Sequence, residues 1–399
     1  MRTRRAAALT VTALAAAAGP AQTGATGQQP PSMLGNSAMH RLHAEPAVEV
    51  VFVLDTTGSM SGLIEGAKAK IWSIANQIAS AKPRPIIRMG LVGYRDRGDD
   101  YVTTITSLTD DLDRVYSDLM GYSANGGGDG PESVNEALHR AVTGCDWTPR
   151  DDDSPAPTLR LIYLVGDAPP HMDYEQDVKY HASCEEAAKR GIIVNAIQCG
   201  SEGETTKVWQ EIARLAEGEY FAIEQSGGMV AVATPFDAEL AELSTRLSDT
   251  LIGYGSPEEQ RAVEDRRDRA RGLAAEAPAP AAAERAAYVA KDESGATLAG
   301  RQELVQDLAA GRVRLDELEE DELPAELRDL PAAEREGHVR AKAAERAAHQ
   351  ARIAELAAKR QQFIRDEMSR LGGGGGDSFD QRVLESLRAQ AARIGITYD

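Results

Sequence analysis

The chain has 399 residues, 42% of them hydrophobic and 5% aromatic, and carries a formal net charge of −19. That length allows two compact parts. The acidic balance excludes a nucleic-acid binder, because holding phosphates needs a basic face that displaces counterions, and points instead to neutral or cationic partners. With so few aromatics, alanine takes much of the apolar share, so alanine-rich helices are expected.

Residues 1–21 read as a signal peptide. Arg2, Arg4 and Arg5 precede an apolar stretch from Ala6 to Ala18, and Gly19, Pro20 and Ala21 follow. This is the charged, apolar, small-residue order of a secretory signal, with cleavage after Ala18 or Ala21. The stretch is too short to cross about 30 Å of hydrocarbon, and no later segment is long and apolar enough. No stable membrane span is therefore expected after signal removal, and the mature protein is expected to be periplasmic or secreted. The adjacent Arg4 and Arg5 leave twin-arginine export open. Residues 22–45, rich in Gly, Pro, Gln, Ser and Thr, read as a flexible linker.

An α/β domain is expected over 46–252. The nearly unbroken apolar run Val48 to Leu54 suits a central parallel strand covered on both faces. Ile64, Ala67, Ile71, Ile74 and Ile78 then recur at helical spacing within Leu63 to Ala81. Strands are expected at Ile86 to Tyr94, Tyr101 to Ser107, Leu159 to Val165, Ile192 to Cys199 and Tyr220 to Ile223. Helices are expected at Asp111 to Met120, Ser133 to Thr143, His181 to Arg190, Val208 to Ala216 and Pro235 to Leu251. Such alternation means a doubly wound, mainly parallel sheet with helices on both faces, and ligands bind beyond the carboxyl ends of its strands.

Past Gly253 the composition turns to Ala, Glu and Arg, which predicts an α-helical extension over 253–371, broken at Pro278, Pro280, Pro324 and Pro331. Its longest piece, Ala332 to Leu371, is amphipathic and needs a partner surface. It is expected either to lie against the sheet domain or to associate, in coiled-coil fashion, with a second copy or another chain. A glycine linker at 372–377 leads to a last helix within 378–399.

Of the three cysteines, Cys184 and Cys199 are the pair that a helix descending from the sheet top and the strand returning to it would bring together. The expectation is a disulfide between them, with three reduced buried thiols as the alternative.

The chemistry concentrates at three strand-end loops. Asp55-Thr56-Thr57-Gly58-Ser59 places a carboxylate and two hydroxyls on alternate positions, so that in an extended stretch the three oxygens converge on one hard cation. Gly126-Gly127-Gly128-Asp129-Gly130-Pro131-Glu132 precedes the helix at Ser133, and Gly166-Asp167 ends the strand Leu159 to Val165. These loops resemble the metal-ion-dependent adhesion site of the von Willebrand factor type A family, whose sheet is Rossmann-like. That family's pattern is Asp-x-Ser/Thr-x-Ser, a Thr in the Gly-rich loop and an Asp after the fourth strand. Asp55, Thr57, Ser59 and Asp167 match it over a resemblance spanning 46–252.

The Gly-rich loop departs from the pattern, offering Asp129 or Glu132 in place of the Thr. Spacing back from Ala137-Leu138 favours Glu132, while Asp129 follows the glycines more closely. A carboxylate there tightens the hold on the ion and lowers the positive charge left for an acidic ligand. The resemblance implies a non-enzymatic module that docks a protein or peptide ligand through Mg²⁺, or else Mn²⁺ or Ca²⁺.

Two alternatives carry less. One is a chelatase-like assembly subunit working beside a separate ATPase, against which the export signal counts. The other is a metal-assisted hydrolase, since Gly58-Ser59-Met60-Ser61-Gly62 fits the nucleophile elbow, with Ser61 attacking and Asp167 with His171 or His181 assisting. This strand, however, opens its domain, whereas the elbow follows several strands. Arg95, Asp96 and His171 also lie near the loops. Asp96 is expected to pair with a nearby arginine, and His171 to brace its loop.

Overall fold

The computed structural model describes residues 45–128, 130–151, 156–292, 296–300, 302–370 and 378–398. The expected signal peptide, nearly all of the expected first linker, Asp129 and the expected glycine linker lie outside them. Six strands form one sheet: β1 (Ala47–Asp55), β2 (Ile86–Tyr94), β3 (Thr103–Thr109), β4 (Thr158–Gly166), β5 (Ile192–Cys199) and β6 (Tyr220–Ile223). Their order is β3-β2-β1-β4-β5-β6. Every neighbouring pair is parallel except β2 with β3. The stretch between Tyr94 and Thr103 is too short for a crossover helix, so that edge returns antiparallel.

Strand β1 shows why the sheet is covered twice. Val48, Val50, Phe52 and Leu54 enter one core, while Val51 and Val53 enter another, as the two-residue period of a strand dictates. Helices α1 (Ser61–Ile78) and α2 (Leu112–Met120) cover the first face, and α3 (Val134–Gly144), α4 (Tyr180–Lys189) and α5 (Gly203–Leu215) cover the second. The chain winds away from β1 in one direction through β2 and in the other through β4, so their carboxyl ends flank the point where the strand order reverses.

Beyond β6 the structure is helical: α6 (Asp237–Ser248), α7 (Pro257–Glu276), α8 (Ala279–Ala290), α9 (Ala296–Ala299), α10 (Leu304–Ala309), α11 (Ala325–Arg328), α12 (Ala332–Arg370) and α13 (Phe379–Ala391). The start of α7 is fixed by a capping box between Ser256 and Glu259 with Pro257 in its first turn. Pro278 then separates α7 from α8.

These helices close over α1. Asn76 of α1 donates to the Glu284 carbonyl of α8 at 2.8 Å, and α12 packs on α6 and α8. Ile353 and Leu356 of α12 enter the first core, so this long helix lies against the sheet-bearing unit. Three buried arginines tie the layer: Arg285 to Asp113 at 2.6 Å, Arg346 to Glu303 at 2.8 Å, and Arg360 to both Asp237 at 2.7 Å and Glu284. Charges this deep are tolerated only when paired.

Helix α13 reaches the sheet itself. Phe379 tilts against Phe52 with ring centres 6.0 Å apart, and Tyr163 donates to the Val383 carbonyl at 3.0 Å. Asn195 and Gln390 exchange amide hydrogen bonds of 3.0 and 2.7 Å.

The expected disulfide does not form. All three cysteines are free and buried, and Cys184 belongs to the core on one face of the sheet while Cys199 belongs to the core on the other. The sheet therefore lies between them. Among the described residues no helix is long and apolar enough to cross a membrane.

Candidate metal centre

Strand β1 ends in Asp55, and its neighbour β4 ends in Gly166, followed by Asp167. The strands approach closely here because residue 166 has no side chain. A Cβ there would stand 3.0 Å from the Asp55 Cβ and collide with the Tyr94 hydroxyl. Asp55 is fully buried. Its Oδ1 accepts from the Thr57 amide at 2.8 Å and from the Thr57 hydroxyl at 2.7 Å, while its Oδ2 has no protein partner.

The alternation expected of the first loop holds only as far as Thr57, which is extended. Gly58–Met60 then coils into a 3-10 turn. Ser59 nonetheless sits with its hydroxyl 3.3 Å from that of Thr57, on exposed chain at the rim.

The Gly-rich loop is stitched to the first by hydrogen bonds from Asn125 N to the Thr56 carbonyl at 3.1 Å and from Gly58 N to the Gly126 carbonyl at 3.3 Å. Gly127 has φ of 76°, open to glycine at no steric cost. A Cβ on it would stand 3.0 Å from the Thr57 Cβ and 3.1 Å from Glu132 Oε1. Glu132 is thus brought beside Thr57. Its backbone is bridged to the loop after Asp167, the amide donating to the Pro169 carbonyl at 2.9 Å and the carbonyl accepting from His171 N at 3.0 Å.

Thr57, Ser59, Gly127, Glu132 and Asp167 line one open cleft of about 270 Å³. Five of the six residues expected at the site, Asp55, Thr57, Ser59, Glu132 and Asp167, therefore come together. The sixth, Asp129, falls outside the described residues.

The electrostatics are one-sided. Burial pushes the Asp55 carboxyl up to about 7 against the pull of the Thr57 hydrogen bonds, with Asp167 adding repulsion. Burial likewise pushes Glu132 up to about 9, helped by Asp55, Asp96, Asp99 and Asp167. Glu132 Oε2, like Asp55 Oδ2, has no protein partner. Two buried carboxylate oxygens without protein donors, facing further carboxylates, form a cradle that either protons or a cation would satisfy.

Among the described residues no group of three or more His, Cys, Asp and Glu is placed to hold a metal by itself. An ion would therefore draw on the Thr57 and Ser59 hydroxyls and on water as well, a donor set suited to a hard cation such as Mg²⁺.

Several participants escaped the sequence reading. Gln225, in the loop after β6, donates to Asp167 Oδ2 at 2.7 Å; its position at a strand's carboxyl end was the available signal. Asp99 Oδ2 accepts from Gly127 N at 3.1 Å. Asp96 pairs with hydroxyls rather than the expected arginine, accepting from Ser133 at 2.9 Å and Tyr174 at 2.8 Å. Arg95 turns to Asp100 and stacks on Tyr101. His171 lies between Asp96 and Asp173 and stacks on Tyr174. Ser61 begins α1, exposed, and among the described residues no histidine hydrogen-bonds to it.

Comparison with known proteins bears on the domain as a whole. The model of the family described as von Willebrand factor A domain matches residues 49–233. Von Willebrand factor A domain-containing protein 7 of Mus musculus is 35% identical over 140 residues, and that of Homo sapiens 34% identical over the same length. Each match covers 35% of this chain and 14% of the relative, so the chain spans a small part of the curated relatives it matches. Among solved structures, the SpRpn10 VWA domain aligns with a TM-score of 0.33 at 14% identity, over 45% of this chain and 89% of that one. Proximal thread matrix protein 1 from the mussel byssus aligns with a TM-score of 0.35 at 14% identity, over 45% of this chain and 42% of that one. Residues 49–233 of this chain form a von Willebrand factor A domain.

Proposed function

We propose that this domain is an exported, non-enzymatic docking module that holds a Mg²⁺-type ion in the cleft and uses it to bind a protein or peptide. The observation that carries the reading is Asp55, a fully buried carboxylate with one oxygen lacking a protein partner, set beside Asp167 and Glu132. Asp55, Glu132 and Asp167 would hold the ion, directly or through water, with the hydroxyls of Thr57 and Ser59. The ion supplies a Lewis-acidic point open to a ligand oxygen on the cleft side. Export rests on the amino-terminal sequence, and docking on the common role of von Willebrand factor A domains in protein interactions.

The charge balance selects the partner. Three carboxylates around a divalent ion leave the site with a net charge of about −1, so an acidic ligand side chain meets repulsion and a neutral oxygen donor does not. The test is calorimetric titration of the full chain with Mg²⁺, beside Asp55→Ala, followed by capture of partners from an envelope extract with and without chelator. Uptake by the parent that disappears in Asp55→Ala, with partner retention sensitive to chelator, supports the reading. Equal uptake by both proteins, or none by either, overturns it.

A further inference from the structure

The loop that joins β2 to β3 contributes no residue to the cleft, yet it grips the Gly-rich loop at both ends. Asp99 Oδ2 accepts from the Gly127 amide at 3.1 Å at the near end, and Asp96 Oδ1 accepts from the Ser133 hydroxyl at 2.9 Å at the far end, one residue past Glu132. The two residues are themselves linked, since the Asp96 backbone amide donates to Asp99 Oδ2 at 3.2 Å. Asp96 Oδ2 extends the grip to a third loop, accepting from Tyr174 at 2.8 Å with His171 Nε2 3.4 Å away. Asp96 is 6% exposed and Ser133 fully buried, so the bond between them does not compete with bulk water.

We propose that Asp96 is the positioning residue of the metal centre: one carboxylate that fixes the loop bearing Glu132 against the loop following Asp167, so that both ligands stand ready for the ion. The inference rests on the proposed function for its metal and on the hydrogen bonds alone for the clamp. Partners that orient ligand residues are worth about 10- to 100-fold in metal affinity.

Two readouts test it on the full chain. The first is hydrogen exchange of the metal-free protein. Asp96→Ala should speed exchange of the Glu132 and His171 amides and leave those of β5 unchanged. The second is Mg²⁺ titration, in which Asp96→Ala should weaken binding tenfold or more. Asp96→Asn keeps an acceptor for Ser133 and should stay within about threefold of the parent. Ser133→Ala should reproduce part of the loss and add little to Asp96→Ala. Unchanged exchange at these two amides overturns the clamp whether or not metal binds. Faster exchange with unchanged Mg²⁺ affinity overturns the positioning role, and equal loss in Asp96→Asn and Asp96→Ala marks Asp96 as a ligand instead. A parent that takes up no Mg²⁺ refutes the metal reading and the positioning role, while the exchange result still decides the clamp.

Discussion

Asp55 and Gly166 stand side by side at the ends of two neighbouring strands, so close that a Cβ on residue 166 would lie 3.0 Å from the Cβ of Asp55. The cleft floor therefore depends on a missing side chain. Gly166→Ala is expected to cost about 1 to 3 kcal/mol, the range for overpacking a closed site, read as a lower urea midpoint in chelator. Tyr94→Phe removes the hydroxyl that the new methyl meets and should recover part of the loss. An unchanged midpoint in Gly166→Ala would show that the strands part easily here.

The raised carboxyls set a pH dependence with a definite sign. Asp55 moves from an ordinary 3.8 to about 7 and Glu132 from 4.5 to about 9. Folding favours their protonated forms, so this contribution is complete below about pH 4 and is lost as pH rises through 7 and then 9. In chelator, the melting temperature should fall from pH 5.5 to 9. Added Mg²⁺, which competes with those protons, should raise it more at pH 8.5 than at pH 5.5. Melting curves at the two pH values decide it, and an equal Mg²⁺ effect at both contradicts the assignment.

Arg360 is held between Asp237 and Glu284, all three nearly excluded from solvent. Arg360→Ala leaves two buried acids facing each other and should cost about 3 to 5 kcal/mol. Adding Asp237→Asn removes one stranded charge, so the double variant should be more stable than Arg360→Ala alone. Chemical denaturation of both variants measures the difference.

Much of this architecture was legible in the sequence. Strand β1 is apolar on both faces because it is covered on both faces, and that run is readable without a partner. The same holds for the alternation that placed β2, β5 and β6 residue for residue. At the centre, Asp55, Thr57, Ser59, Glu132 and Asp167 could be found because each follows a strand or precedes a helix in a recognisable motif. Asp96, Asp99 and Gln225 were harder, since their roles come from loops that meet only when the sheet forms. The Cys184 to Cys199 pairing failed for a related reason: topology gives the height of a residue on the sheet, and side-chain alternation then decides its face. The packing of α12 was left between two readings because its apolar stripe names no surface.

Phe379 inserts α13 against Phe52 and completes the first face of the sheet. Phe379→Ala should cost about 3 to 5 kcal/mol and open the bond between Phe379 and residues preceding it to limited proteolysis. Cleavage no faster than in the parent would indicate that the Gln390 amide bonds and the Tyr163 bond to the Val383 carbonyl hold the helix unaided.

The tie between Asn195 and Gln390 spans 195 positions, which bears on how the molecule is made. On the ribosome all six strands emerge long before the segment that shields their underside, so the nascent polypeptide cannot lock until that distant turn of chain arrives. Released chains truncated before residue 379 should remain sensitive to protease, and the full chain should resist it. Contacts of such long range slow the final step of folding.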